Sequence, residues 1–128
     1  MSTFLTDNIN ISVRPLYEEA HSVPSSNDFV FSYAVTVKNK GEVTVQLLSR
    51  HWYIFDSNGS YSEVKGEGVI GEQPIIRPGH SHAYQSFSSL KSDIGMMWGS
   101  YLMKEVESGR LFEVAIPEFQ LITPMRLN

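Results

Sequence analysis

A glycine-rich segment offers the clearest possibility of chemistry in this sequence. Residues 64–74 read VKGEGVIGEQP, and Gly66, Gly68 and Gly71 have the G-x-G-x-x-G spacing that cradles nucleotide phosphates in some enzymes. In a dinucleotide-binding fold, such a motif follows a strand and opens a helix whose N-terminus faces the pyrophosphate. Two prolines and a glycine within residues 72–79 exclude a helix of useful length here. The segment is therefore predicted to be a loop between strands, without a Rossmann or kinase site.

Two interpretations of this loop remain open. Glu67 and Glu72 flank its glycines. Exposed backbone N–H groups of such a loop can form a nest that binds an anion. Alternatively, the glycines permit a tight, bulged crossing at one end of a β-sandwich, because glycine adopts backbone conformations that other residues avoid.

A histidine pair follows the loop. If residues 80–82 lie in a strand, His80 and His82 share one face, and such a pair can hold a transition metal when a third ligand converges on it. Glu67, Glu72 and His51 are the nearby candidates for that third ligand. The simpler interpretation is two exposed histidines beside a turn. We expect no cofactor, apart from weak binding of Mg²⁺ or Co²⁺ at these side chains.

The triplet Arg50-His51-Trp52 lies in a predicted strand. Alternation along a strand places Arg50 and Trp52 on one face and His51 on the other. If Trp52 faces the core, Arg50 lies near the end of the sandwich, where a carboxylate would pair with it. His51 is then either exposed on the sheet or packed against the glycine loop. A catalytic role for His51 would need a nucleophile, and no G-x-S-x-G motif supplies one.

The elements that must position these residues follow a period of two. The clearest example is residues 29–38, in which Phe29, Phe31, Tyr33, Val35 and Val37 alternate with smaller or polar residues. Turn signals such as Asn58-Gly59 separate the segments. Other strands are predicted at residues 10–17, 43–54, 81–87, 96–106, 111–116 and 119–122.

Prolines and helical periodicity refine this prediction. Pro15 indicates that the first strand is at an edge or bulged, and Pro117 is expected to interrupt the last strand. Apolar residues do not recur at helical spacing over three turns anywhere in the chain. We therefore predict an all-β, immunoglobulin-like antiparallel sandwich of two sheets, with about seven to eight strands.

Two aromatic residues support an immunoglobulin-like arrangement. Trp52 lies on the third predicted strand, and Tyr101 occurs in a Gly-x-Tyr pattern on the next-to-last one. Met103 stands where an immunoglobulin domain would have its second cysteine.

Composition narrows the possible functions. The 128 residues, 41% of them hydrophobic, are expected to form one domain with a core of its own. A net charge of −4 argues against nucleic acid as a partner. No segment is predicted to insert into a membrane, and the N-terminus lacks the pattern of a signal peptide. The absence of cysteine excludes thiol chemistry and suits a reducing cytoplasm, where we expect the protein to reside.

The same motifs resemble the ApaG family over about residues 9–122. The residues that carry this resemblance are Arg50-His51-Trp52, the segment 64–74, Pro78-Gly79, Tyr84, the segment GSYLM at 99–103 and the segment FEVAIPEF at 112–119. The resemblance implies a fibronectin type III-like sandwich and a small bacterial cytoplasmic protein associated with cobalt and magnesium efflux. It also implies a protein-interaction module, because ApaG-like domains occur inside larger eukaryotic proteins.

Met96, Met97 and Trp98 form an apolar group from which alternation sends at least one side chain outward. An exposed patch of this kind suggests a partner or a homo-oligomer, although burial under a loop would also explain it.

The leading hypothesis is a non-enzymatic module that binds an unidentified protein. The alternative is a binder of phosphate, a nucleotide or a divalent cation through the same loop. The recognition residues are predicted to be Gly66, Glu67, Gly68, Gly71, Glu72 and Gln73 of the loop, with Arg50 and His51 beside it.

Overall fold

The structure, a computed structural model, describes residues 2–127 and consists almost entirely of β-strands. In chain order the nine strands are β1 Ser2–Thr6, β2 Ile9–Tyr17, β3 Phe29–Asn39, β4 Val45–Asp56, β5 Tyr61–Glu67, β6 Ile75–Ile76, β7 Ser81–Leu90, β8 Ile94–Glu105 and β9 Leu111–Ile122. Within residues 2–127 the helical segments are three short 3-10 turns, at Glu19–His21, Pro24–Ser26 and Pro124–Leu127. No helix in this part of the chain has the length and apolar character needed to cross a bilayer.

The strands form two antiparallel sheets. The first has the order β1-β2-β3-β7, and the second has the order β5-β4-β8-β9, with β6 pairing the start of β4 beside β5. The all-β sandwich predicted from the period-two pattern is confirmed, with nine strands against the seven to eight expected. Gly71 does not lead into a helix.

The core lies between the inward faces of the two sheets. Trp52 on β4 contacts Tyr33 edge-to-face at 5.2 Å between ring centroids and Phe119 at 5.8 Å. Tyr101 and Met103 on β8 are fully buried, as their positions in the pattern predict. The hydroxyls of Tyr84 and Tyr101 share a hydrogen bond, which links the first sheet to the second.

The prolines have the following positions. Pro15 lies beyond the stretch of β2 that β1 covers, so its part of the strand is at an edge, as predicted. The expected interruption at Pro117 is wrong, because β9 continues through that residue. Between Ile116 and Phe119, two residues of β9 lie opposite the single residue Trp98 of β8. This β-bulge accommodates the proline, which has no N–H to donate.

Three strands were not predicted, namely β1, β5 and the two-residue β6. β1 reverses into β2 through Asp7 and Asn8, which have φ angles of 49° and 64°. Such values at both central residues are typical of a two-residue type I′ turn. β5 extends from Tyr61 to Glu67, and all its residues are exposed except Gly66, which is half-buried. Gly66 and Glu67 therefore belong to an edge strand and not to the glycine loop, which is shorter than predicted.

Candidate functional site

A bulge in β4 sets the orientation of the predicted site. The register with β8 pairs Leu47 with Met103 but Ser49 with Leu102, so that Leu48 is the extra residue. The extra residue shifts the alternation, and as a result Trp52 faces the core while His51 faces outward. Arg50 and Trp52 line the same crevice between the sheets, as the strand alternation predicts.

The glycine segment ends in a two-residue turn. The amide of Val69 donates to the carbonyl of Glu72 at 2.7 Å, and the amide of Glu72 donates back to the carbonyl of Val69 at 3.0 Å. The two central residues, Ile70 and Gly71, have φ angles of 48° and 75°. Positive φ at both positions is the feature of a type I′ turn, for which Asn-Gly is the favoured pair. The turn thus has the expected glycine second, but a β-branched residue first.

The bulged residue holds this turn in place. The carbonyl of Leu48 accepts a hydrogen bond from the amide of Gly68 at 2.7 Å and another from Nε2 of Gln73 at 2.9 Å. The carbonyl of Gln73 in turn accepts a bond from Nε2 of Gln46 at 3.1 Å. The glycine turn is therefore fixed to β4 on both of its arms. It is not a flexible loop.

Arg50 fixes the same arm from the inner side. Its Nη1 donates to the carbonyls of Glu67 and Gly68 at 3.1 and 2.9 Å. The expectation that a carboxylate pairs with Arg50 is wrong, because backbone carbonyls take that place. The guanidinium lies over Gly66, where a Cβ atom would come within 2.8–2.9 Å of its atoms. The glycine at position 66 thus makes room for Arg50.

Three tyrosines lie in the electrostatic field of Arg50. Burial raises the pKa of Tyr33, Tyr84 and Tyr101, and the positive charge of Arg50 opposes part of this increase. These phenols therefore stay protonated at neutral pH, and their role in the structure is to pack and to form hydrogen bonds.

The backbone amides of the turn are largely used within the protein. Those of Gly68, Val69 and Glu72 all donate to protein carbonyls. An anion could reach these three amides only if the turn opened. These internal hydrogen bonds favour the second interpretation of the glycines, in which they permit a tight crossing at the end of the sandwich.

His51 lies on the outer face of the sheet, beside the arm that leads into the turn. Its ring stacks on Tyr53 at 4.3 Å between centroids, and its Nε2 lies 2.9 Å from Oε1 of Glu63. Of the two positions expected for His51, the structure shows the one on the outer face of the sheet. The side chains of Arg50 and His51 point to opposite faces of β4, yet both residues line one surface depression together with Gly66 and Glu67.

The two histidines considered as metal ligands are not both in a strand. His80 lies in the turn before β7, so the expectation that the pair shares one strand face is wrong. His82 is the second residue of β7, and its Nε2 lies 3.9 Å from Oε2 of Glu72. Among the residues that the structure describes, no group of three or more His, Cys, Asp or Glu side chains is arranged to hold a metal ion.

The methionine–tryptophan group divides between the two faces of β8. Met97 is buried in the core, whereas Met96 and Trp98 lie partly exposed on the outer face. The prediction that at least one of the three points outward is confirmed. Trp98 stacks there on Tyr53, with ring centroids 5.6 Å apart and planes 9° from parallel.

Ile70 is the residue that sequence reasoning missed. Its side chain is 61% exposed at the tip of the glycine turn, on backbone that β-branched residues rarely adopt. The signal for the turn was present, since glycine follows Ile70 in a segment between strands. However, a β-branched residue argues against a type I′ turn, and for this reason the sequence did not predict a turn with Ile70 at its tip.

Comparison with known proteins places the chain in a family. Residues 19–105 match the family model of the ApaG domain. Protein ApaG from Paramagnetospirillum magneticum is 47% identical over 119 residues, which cover 93% of this chain and 91% of that protein. Protein ApaG from Pseudomonas aeruginosa strain LESB58 is also 47% identical, over 94% of both chains.

Solved structures agree with this assignment. The crystal structure of the putative ApaA protein from Bordetella pertussis superposes with a TM-score of 0.88 and 41% sequence identity, covering 91% of this chain and 94% of that one. The C-terminal domain of wzt, at 12% identity and a TM-score of 0.53, shows likeness of fold alone. The sequence matches and the shared architecture together show that this chain belongs to the ApaG family.

Proposed function

We propose that this protein is a non-enzymatic binding module that recognises a partner protein through its glycine turn, with Ile70 as the anchoring side chain. The observation that carries the proposal is the conformation of Ile70. A β-branched residue at positive φ costs about 1–2 kcal/mol relative to a permissive residue. At 61% exposure, little of the Ile70 side chain is buried within the chain to offset this cost.

A rigid, exposed apolar side chain suits protein recognition. Binding is weakened by the ordering of loops and side chains at the interface, so a turn that is already ordered binds with a smaller entropic loss. The bonds to Leu48 and from Arg50 provide that order here. Interfaces also concentrate their energy in a few apolar anchors surrounded by polar groups. Ile70 has the position of such an anchor.

The predicted recognition residues take distinct parts in this proposal. Gly71 provides the second positive φ angle of the turn, Gly68 has a positive φ just before the turn, and Gly66 admits the guanidinium of Arg50. Arg50 and Gln73 are positioning residues that hold the turn. Glu67 and Glu72 are exposed beside the turn and would form its polar rim. His51 lines the adjoining depression with Arg50 and Glu67, but its ring contacts Tyr53 and Glu63 and not the turn.

The family resemblance adds a physiological setting to the proposal. The association of ApaG proteins with cobalt and magnesium efflux would reflect a partner that acts in the homeostasis of these ions. In this proposal the protein acts in the cytoplasm. The ions would affect it through the partner, without binding at the turn.

Partner capture tests the proposal. The immobilised protein is exposed to a bacterial extract, and the retained proteins are quantified by mass spectrometry for the wild type, Ile70→Asp and Glu72→Ala. Leu16→Asp is the matched control, because Leu16 is also 61% exposed but lies on β2 of the other sheet. We expect Ile70→Asp to lose at least one specifically retained protein, which Leu16→Asp still retains.

Two results would count against the proposal. The first is equal retention of every protein by Ile70→Asp and the wild type, with both folded by circular dichroism. The second is calorimetric binding of a nucleotide or of Co²⁺ or Mg²⁺ at micromolar affinity that Ile70→Asp abolishes, which would assign the turn to a small ligand. Gly68→Val is unsuitable for this experiment, because a Cβ atom at Gly68 would lie 2.0 Å from the carbonyl oxygen of Glu72 and displace the turn itself.

A further inference from the structure

The outer face of the five-stranded sheet carries an aromatic cluster formed by Tyr53, Tyr61 and Trp98. The ring of Tyr53 lies 5.6 Å from that of Trp98 and 6.3 Å from that of Tyr61, and Tyr61 lies 6.4 Å from Trp98. Three strands contribute to it, since Tyr61 is on β5, Tyr53 on β4 and Trp98 on β8. The three rings thus form a continuous surface at the end of the sheet remote from the glycine turn.

The core does not explain this cluster. The outward face of an antiparallel sheet in a sandwich is usually polar, because it meets water. Tyr61 is nevertheless 57% exposed, and exposed Phe55 and half-buried Met96 extend the apolar surface beside it. Large rings grouped outside the core are typical of interaction surfaces, where tyrosine and tryptophan are enriched.

Carboxylates lie beside the cluster and further along the same face, although Glu63 also pairs with His51 at 2.9 Å. Glu63 is the direct neighbour of Tyr53 in the pairing of β4 with β5, and Glu118 is in the bulge of β9 opposite Trp98. Further along the same face lie Glu67 and Glu113. The outward cations on these strands are fewer, namely Lys65 and Lys104. The outer face is therefore aromatic at one end, where Glu63 and Glu118 lie beside the rings, and carries more carboxylates than cations along its length.

We propose that the aromatic cluster binds an extended, basic segment of a partner protein, with an arginine or lysine side chain over the rings. A cation is attracted to the face of tyrosine and tryptophan by the ring quadrupole, and a planar guanidinium also stacks on such rings. The neighbouring carboxylates complement the positive charge and favour encounter with a basic segment. Geometry and charge thus select the same chemical class of ligand.

The charges favour a basic partner over a second copy of this chain. A symmetric dimer through this face would bring together two copies of a surface with more carboxylates than cations, and like charges across an interface are unfavourable. The net charge of −4 adds to this repulsion.

A selection experiment tests the chemistry of the ligand while the partner is still unidentified. The full-length protein is used to select binders from a displayed library of random nine-residue segments. The best segments are then synthesised, and their affinity is measured by fluorescence anisotropy. We expect an excess of arginine and lysine over acidic residues among them, and weaker binding at high salt.

Matched variants locate the binding site. Tyr61→Ala removes an exposed ring of the cluster, and Phe87→Ala removes a ring of equal exposure, 57%, from β7 of the other sheet. We expect Tyr61→Ala to weaken the selected segments about tenfold, a typical effect of losing a cation–π contact in a desolvated site. Phe87→Ala is expected to leave the affinity unchanged, and so is Ile70→Asp, because the glycine turn is a separate surface.

Three results would overturn this proposal. One is a set of selected segments without an excess of basic residues. Another is equal affinity of these segments for the wild type and for folded Tyr61→Ala. The third is a wild-type dimer in sedimentation experiments that Tyr61→Ala dissociates, which would assign the cluster to a second copy.

Discussion

The amide of Gly68 donates to the carbonyl of Leu48 at 2.7 Å, and this bond joins the bulge of β4 to the glycine turn. Leu48 is the residue by which β4 exceeds β8, so its carbonyl is free of the regular ladder and accepts Nε2 of Gln73 as well. One bulge therefore both turns Trp52 into the core and anchors the candidate recognition surface.

The two glycines with positive φ in this segment are expected to differ in their tolerance of a methyl group. At Gly71 no atom lies within 4 Å of the added Cβ, so Gly71→Ala should lower the free energy of unfolding by about 1–2 kcal/mol through backbone strain alone. At Gly68 the added Cβ also collides with the carbonyl of Glu72, and Gly68→Ala should cost about 3 kcal/mol or more. Urea unfolding of both variants measures the difference. Equal losses would contradict the anchoring role of Gly68.

The stability of the protein is expected to fall at high pH because of its buried tyrosines. Burial raises the pKa of Tyr84 and Tyr101 in the folded state above about 10, the value for an exposed phenol. The stabilisation linked to these raised pKa values is fully present below about pH 10, and it is lost as the pH rises toward the folded-state pKa. Each such tyrosine makes the free energy of unfolding fall more steeply with rising pH, by up to about 1.4 kcal/mol per pH unit. The free energy of unfolding, measured with urea at several pH values between 9 and 11, should therefore fall less steeply with pH for Tyr84→Phe than for the wild type.

The same Tyr84→Phe variant should also be less stable at neutral pH. It leaves the buried hydroxyl of Tyr101 without its partner, which costs about 1–3 kcal/mol. If the free energy of unfolding fell equally steeply with pH for the variant and the wild type, the pKa of Tyr84 would not be raised as its burial requires.

The hairpin between β8 and β9 carries an ion pair whose effect is local. Arg110 donates to Oε2 of Glu105 through Nε at 3.1 Å and Nη2 at 2.9 Å, and Ser108 donates to Oε1 at 2.7 Å. The bonds from Arg110, and then that from Ser108, lower the pKa of Glu105. We expect Arg110→Ala to raise this pKa and Ser108→Ala to raise it less, as followed by carbon-detected NMR titration.

The sign of this effect follows from the direction of the shift. A carboxylate with a lowered pKa stabilises the fold above its unfolded-state value, and this stabilisation disappears as the pH falls through the folded-state value. If Arg110→Ala left the titration of Glu105 unchanged, the paired geometry of the hairpin would be wrong.

The sequence allowed prediction of the fold wherever one face of a strand is buried. β3 shows this most clearly, since Phe31, Val35 and Val37 are buried at the alternating positions expected. β5 was missed because an edge strand exposed on both faces has no apolar alternation to detect. β1 was missed because its turn, Asp7-Asn8, is a less familiar type I′ pair than Asn-Gly.

The candidate site could be predicted only in part. The glycine segment and Arg50 do come together, because they are partners across the pairing of β4 with β5. The opposite orientation of the Arg50 and His51 side chains follows from simple alternation and was foreseeable. The bulge at Leu48 was not, because its position depends on the register between β4 and β8, which single-strand patterns do not encode.

Ile70 connects the stability of the turn with its proposed function. Ile70→Asn would create the Asn-Gly pair that type I′ turns favour, so it should raise the free energy of unfolding by about 1 kcal/mol. Thermal and urea unfolding measure this gain. A loss of stability would instead mean that the Ile70 side chain packs within its own chain.

The most direct test is the affinity of a captured partner for wild type and Ile70→Asn, measured by calorimetry on the purified proteins. The proposed function requires that the more stable variant binds at least about tenfold more weakly, because it loses an anchor of about 1.4 kcal/mol or more. Leu16→Asn should bind like the wild type. Undiminished affinity of Ile70→Asn would contradict recognition through the glycine turn.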